Sequence, residues 1–237
     1  QYMCELHRTE LELANKNSPR RVVGIRWRSD GEKVTPEENS ILETSFSEEE
    51  VKKVVFDSYS NGAPGPDGIP FFFYQHFWEL VKKDLMNMFS DFHKGRLDIH
   101  RLNFAMLTLI PKEADASSMK KFRPISLLNC SFKNFTKVFT NRLSKILQRL
   151  VASNQSAFLK GRYILESVVT AHEVLHSVHS SKRQDLVLKL DYEKAFDKVD
   201  LSFLIKLLEL RGFGGKWTHW IYQLTHGGSV GVKLNNL

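Results

Sequence analysis

The sequence predicts a helix-rich α+β fold on three observations. Ser47-Glu48-Glu49-Glu50, a helix-start signal, precedes apolar Val51, Val54, Val55 and Tyr59 at helical spacing. From Phe135 onward, Val138, Phe139, Leu143, Ile146, Leu147 and Leu150 repeat that spacing over a longer stretch. Short apolar runs of another kind, Ala105 to Ile110, Leu186 to Leu190 and the alternating Val230, Val232 and Leu234, suit strands.

Taken in order, Ser47 as N-cap and Glu50 at N3 form a capping box and predict a helix over about 47–60. Asn61-Gly62 stops it, and the segment to Pro70 must be a loop, because Pro64, Pro66 and the glycines propagate neither helix nor sheet. A second helix is expected over 71–93, with Gly95 as its stop. The strand at 105–110 follows, and Pro124 is expected to open a turn before the next helix. The helix from Phe135 carries Lys137, Arg142, Lys145 and Arg149 opposite its apolar stripe, so one face should pack and the other be basic.

Ile164, Leu165, Val168, Val169, His172, Leu175 and Val178 repeat the helical pattern, giving that helix an apolar stripe to pack. Leu186, Val187, Leu188 and Leu190 then suit a mostly buried strand, with Asp191 where it leaves the core. A helical pattern from Glu193 brings Ala195, Phe196 and Val199 back towards the sheet. Asp200 reads as the N-cap of a helix from Leu201 to Leu210 ended by Gly212. One more helix carries Trp217, Trp220 and Ile221 before the final strand.

At 237 residues the chain can bury a substantial core, as one large domain or two lobes. Cys4 and Cys130 give no disulfide framework, no apolar run is long enough to span a bilayer, and the N-terminus lacks signal-peptide features. A soluble intracellular protein is therefore expected, nuclear or cytoplasmic. The net charge is +7, but between Arg101 and Arg162 twelve Lys and Arg stand against Glu113 and Asp115, a local net of +10. Aromatics such as Phe122, Phe132, Phe135 and Phe158 lie among these cations, a combination suited to a surface that tracks a phosphate backbone. A solvated helix face is the commoner meaning of a charge run; its concentration in one segment favours nucleic acid.

Two features bear on chemistry. Asp191 at a strand end is a plausible metal-binding carboxylate, although such residues more often serve turns or helix N-caps. His172-Glu173-Val174-Leu175-His176 spells H-E-x-x-H, the zinc metalloprotease signature. The metzincin extension is missing, since His179 stands three after His176, and no downstream segment offers a third ligand. The helix is expected to be structural and free of zinc.

Four blocks occur in a characteristic order: NGAPGPDGIP at 61–70, LTLIPK at 107–112 leading to KKFRPISLLNCSFK at 120–133, QSAFLKGRYI at 155–164, and LKLDYEKAFDKVD at 188–200. Together these resemble the reverse transcriptase of LINE-type (non-LTR) retrotransposons, from about Ser45 to about Gly228. The resemblance implies the helix-rich fingers and first part of the palm of a right-hand polymerase, an RNA-directed DNA polymerase acting on an RNA template, a DNA primer and dNTPs with Mg²⁺ or Mn²⁺. It implies Asp191 as a catalytic metal ligand, with the Tyr192 carbonyl beside it, and Phe196 as the aromatic that favours dNTPs over ribonucleotides. Lys112 and Arg123 match the positions that hold the incoming triphosphate. Gln155, Gly161 and Arg162 match a segment facing nucleic acid, and the loop around Asp67 can be simply a rigid turn of the fingers.

The resemblance divides the chain into a variable linker at 1–44, a fingers-like region at 45–185 and a partial palm at 186–237. The family's later Gly/Gln-rich segment and paired-aspartate hairpin are not present, and after Asp200 the only acidic side chain is Glu209. An incomplete, inactive polymerase fragment is therefore expected, and a noncatalytic nucleic-acid-binding remnant shares every positive feature with it.

Overall fold

The computed structural model describes residues 31–181, 188–192, 195 and 198–232. In order these form helices α1 (Pro36–Glu43), α2 (Glu48–Phe56), α3 (Phe71–His76) and α4 (Trp78–His93), then strands β1 (Phe104–Pro111) and β2 (Phe122–Leu128). Helices α5 (Cys130–Leu150), α6 (Ile164–Ser180), α7 (Leu201–Leu210) and α8 (Gly215–Thr225) follow, and then strand β3 (Ser229–Val232). Mixed helices with one small sheet make this an α+β fold. Among the described residues, no helix is long and apolar enough to cross a membrane.

Helix α2 starts where its sequence signal places it: the Ser47 hydroxyl accepts the Glu50 N–H at 3.2 Å. The reciprocal half of the expected capping box is replaced, because the Glu50 carboxylate turns to Arg142 instead. A complete box occurs one helix earlier, where Thr35 accepts the Glu38 N–H and Glu38 accepts the Thr35 N–H, with Pro36 at the first helical position. The helix expected over 71–93 is broken at Phe77, whose backbone (φ −103°, ψ 28°) ends α3 and begins α4. Neither Gly nor Pro marks that break. Gly95, at φ +69°, closes α4 as expected.

The core is aromatic. Phe89 stacks on Phe135 at 4.1 Å and Phe139 on Trp217 at 4.9 Å, while Phe46 lies 5.0 Å from Phe89. These contacts join α4, α5 and α8 around the segment between α1 and α2. Val34 and Leu42 are buried in the same core, and the compact unit begins at Gly31. Trp217 and Trp220 are buried there too. Phe132 and Phe135, expected among surface cations, are core residues because they lie on the apolar stripe of α5.

The sheet has the order β2-β1-β3, antiparallel between β1 and β2 and parallel between β1 and β3. Pro124 does not open a turn: it sits within β2 opposite Leu109. An edge strand tolerates proline because its outer side needs no N–H donor. The strand expected at 186–190 is absent from its described part: residues 188–192 carry no strand and Leu188 is 72% exposed. Both hydrogen-bonding edges of β1 are taken by β2 and β3, and the run has no ladder partner among the described residues. No residue of α6 is buried either, so the expected packing stripe through Leu165, Val168 and Val169 is exposed.

Candidate nucleotide and nucleic-acid interface

Lys112 and Arg123 are brought together by the β1–β2 register. Ile110 pairs with Arg123, and the Lys112 N–H donates to the Lys121 carbonyl at 2.8 Å. Paired residues of an antiparallel ladder share a face, as do alternate residues of one strand, so Ile110, Lys112, Lys121 and Arg123 project on one side of the hairpin end. Two of these cations are engaged locally: the Lys112 ammonium donates to the Lys120 carbonyl at 2.8 Å and Lys121 pairs with Glu113. Arg123 is exposed and makes no ion pair among the described residues. The hairpin end is thus a positive, solvent-facing surface whose exposed guanidinium suits phosphate oxygens.

The APGPDG loop is pinned beside the start of α5. A Cβ on Gly65 would lie 2.4 Å from the Asn129 backbone nitrogen and 2.5 Å from the Leu128 carbonyl carbon, so only glycine permits this approach. The Asn129 side chain accepts the Asp67 N–H at 3.2 Å, and the Lys133 ammonium donates to the Ala63 carbonyl at 3.1 Å. Burial, helped by the Asp67 charge, pushes the Tyr74 hydroxyl up to about 12. The rigid turn expected here is what the loop forms.

The basic face expected on α5 is split in two. Arg142 is 4% exposed and all five of its N–H groups are used. They donate to both Glu50 carboxylate oxygens (2.8 and 2.7 Å), the Leu42 and Thr44 carbonyls (2.8 Å each) and the Ser45 carbonyl (3.1 Å). Its guanidinium also covers the Phe46 ring at 4.3 Å. Arg142 therefore ties α5 to the α1–α2 connection and is not available to a nucleic-acid backbone. Arg149, one heptad later on the same stripe, pairs with Glu32 and Glu38. Lys137 and Lys145 remain exposed, without ion pairs among the described residues. Composition shows cations in this helix but not which way the carboxylates of 32–50 turn.

Arg162 is likewise built into the structure. Its guanidinium donates to the carbonyls of Gln148 (2.8 Å), Val151 (2.8 Å), Gln155 (2.7 Å) and Ala152, capping the C-terminal end of α5 and the turn after it. Gln148 donates to the Lys160 carbonyl at 2.8 Å, and Gly161 takes φ +83°. Gln155 is exposed, its amide donating to the Ala157 carbonyl at 3.3 Å. The loop is held firmly from beneath by Arg162, and its outer surface faces solvent.

Asp191 and Tyr192 are exposed, while Phe196 lies outside the described residues. His172 and His176 are exposed on α6. Among the described residues, no group of three or more His, Cys, Asp or Glu could hold a metal ion. Asp191 alone does not fit a two-metal centre, in which ions about 3.5–4 Å apart are held by several carboxylates. Such a centre needs carboxylates beyond the described ones.

A family model described as reverse transcriptase (RNA-dependent DNA polymerase) matches residues 110–236, more than half of the chain. The chain is 31% identical over 195 residues, 82% of its length, to the Transposon TX1 uncharacterized 149 kDa protein of Xenopus laevis. Over 185 residues, 75% of its length, it is 24% identical to the Retrovirus-related Pol polyprotein from type-1 retrotransposable element R2 of Nasonia vitripennis. It spans 15% and 17% of the length of these two relatives.

Proposed function

Because the chain belongs to the reverse transcriptase (RNA-dependent DNA polymerase) family, with a domain of the LINE type, we propose that it supplies the triphosphate-facing and template-facing surfaces of an RNA-directed DNA polymerase. Family members use divalent metal ions and bind template, primer and dNTP. In this reading β1, β2 and the helices up to α6 are the fingers of a right-hand polymerase, and the segment from 186 onward, with Asp191, begins the palm. The observation that carries it is the hairpin end, where Lys112 and Arg123 share one face and Arg123 makes no ion pair among the described residues.

Arg123 would grip triphosphate oxygens bidentately while Lys112 adds a point charge. Tyr192 and Phe196 would border the nucleotide, and Lys137, Lys145, Gln155 and Gly161 would face the strands. Asp191 would hold Mg²⁺ or Mn²⁺ together with carboxylates outside the described set.

Equilibrium dialysis of the 237-residue chain with labelled dNTP tests this reading. Arg123→Ala is expected to weaken triphosphate binding while leaving duplex binding unchanged, and Arg123→Lys to recover only part of it. Triphosphate binding that is indifferent to both Arg123 and Lys112 would remove the hairpin from the site. Strand binding without any triphosphate binding would favour the noncatalytic reading. Primer extension by the isolated chain is expected to be absent, and reproducible extension lost in Asp191→Ala would overturn the view that its described carboxylates are too few.

A further inference from the structure

Carboxylates are scarce in the basic segment, and their position is specific. From Arg101 to Arg162, where twelve Lys and Arg occur, Glu113 and Asp115 are the only acidic residues, and both lie in the loop that joins β1 to β2. Acids that merely balanced the charge would have no reason to gather there. They stand at the hairpin end, beside Lys112, Lys121 and Arg123.

The geometry shows what Glu113 does. Its carboxylate lies 2.5 Å from the Lys121 ammonium, and the two side chains are 52% and 44% exposed. Lys121 ends the short helical turn Met119–Lys121, and its carbonyl accepts the Lys112 N–H at 2.8 Å, which sets it opposite Lys112. Phe122 after it is extended (φ −104°, ψ 152°), so Lys121 and Arg123 stand on one face. Alternate residues of an extended strand are about 6.5–7 Å apart, a spacing that successive phosphates of one triphosphate can bridge.

A carboxylate oxygen and a phosphate oxygen are the same kind of partner for an ammonium, an anionic acceptor. Glu113 therefore holds the contact that a phosphate oxygen would make. The pair is half exposed, and ion pairs of that kind are weak enough to be exchanged. Arg142 and Glu50 form the contrasting case, because a guanidinium only 4% exposed cannot give up its partner without leaving a buried charge.

We propose that Lys121 is a third triphosphate-facing cation and that Glu113 is its resident counter-ion, released when a phosphate oxygen takes its place. The inference rests on the triphosphate-binding reading above and deepens it by adding a cation and an internal competitor for it. Glu113 thus tunes how tightly the hairpin end holds a polyanion.

Equilibrium dialysis of the 237-residue chain with labelled dNTP, first without divalent cation, reads the exchange. Glu113→Gln keeps the side-chain shape and removes its charge, and should tighten dNTP binding about 1.5- to 5-fold, the range set by an exposed ion pair. Lys121→Ala should weaken it about 10-fold, the scale of a hydrogen bond to a charged group. In the Lys121→Ala background Glu113→Gln should gain little, since the cation it would release is gone. Inorganic tripolyphosphate should compete with the same ranking of variants, because the contact is to phosphate alone. Unfolding midpoints should stay together, as both side chains are exposed.

Unchanged dNTP binding by Glu113→Gln would overturn the exchange, and a lower unfolding midpoint with it would make the pair a clasp of the hairpin. Weaker binding by Glu113→Gln only when Mg²⁺ is added would overturn it too, by making the carboxylate a metal ligand. An equal, Lys121-dependent gain for a labelled single strand would assign the pair to the strand backbone instead. In each case dNTP binding that still falls in Arg123→Ala would leave the hairpin reading intact. An unsubstituted chain that binds no dNTP would overturn both.

Discussion

The aromatic core and the stretch from Val151 to Gly212 are built on opposite terms. Around the core, rings from α4, α5 and α8 interlock and Arg142 satisfies three carbonyls, one at the end of α1 and two in the α1–α2 connection. Between Leu150 and Phe213, no described residue is buried, although the stretch contains two amphipathic helices and the carboxylate singled out by the family resemblance. The first region is explained by its own packing. The second is legible through its motifs and through the contacts its loop makes back to α5. A family motif and a packed core are therefore separate kinds of information, and in this chain they fall largely in different places.

The largest expected effect breaks the first region. Arg142→Ala leaves the buried side of Glu50 and three backbone carbonyls without their donor, and is expected to cost about 3–5 kcal/mol. Arg142→Lys should recover little, since an ammonium cannot reproduce the planar fork. Denaturant midpoints measure both, and a loss no greater than that of a surface substitution would show that the guanidinium network is dispensable.

Asn134 tests the same region in the opposite direction. It is fully buried on α5, and neither its Nδ2 nor its Oδ1 has a hydrogen-bond partner among the described residues. A buried amide without partners costs stability, so Asn134→Leu, which keeps the branching at Cγ, should stabilise by about 1–3 kcal/mol. A loss of stability instead would indicate that the larger side chain does not fit or that a water satisfies the amide.

The contrast itself is sharpened on α6. Leu165→Lys and Val169→Lys replace residues of an exposed apolar stripe, and the pair should change stability by no more than about 0.5 kcal/mol. A loss comparable to a core substitution would mean that this stripe is covered in solution and that the two regions are more alike than their burial suggests.

How much of the fold and the site is legible in the sequence varies with the physics involved. The α5 stripe, the Gly95 and Gly212 stops and the Asp200 cap depend on local propensity or backbone freedom, and each stands where the sequence places it. Pro124 misleads because an edge strand and a turn both accept proline. The Ser47 capping signal is half right: helix starts are local, but the choice of Glu50 between its own N-cap and Arg142 is decided by residues 92 apart. For the site, Lys112 and Arg123 stand out through their motif, and their shared face follows from strand pairing. Arg142 cannot be told from the exposed lysines of its helix, because the cations look alike until the α1–α2 connection is in place. The positive φ of Phe158, +64°, leaves no trace in its residue type, since glycine is the ordinary marker of that conformation.

The smallest effect lies at the start of α7, where the second region rests on local chemistry. The Asp200 carboxylate accepts the Ser202 hydroxyl at 2.6 Å and the Phe203 N–H at 3.0 Å. These donors, the hydroxyl first, hold it below the usual value of 3.8. A carboxyl depressed in the folded state contributes stability above its unfolded pKa and loses it as pH falls through its folded one. Asp200→Asn keeps an acceptor for the Phe203 N–H but neither titrates nor carries charge at the helix N-terminus. The unsubstituted protein should therefore be slightly more stable near neutrality, and that advantage should disappear on acidification below about pH 3.8. Paired unfolding curves against pH measure the gap. A difference that persists undiminished in strong acid would show that Asp200 acts by shape alone, and the second region would then lose the titrating cap that anchors its helix.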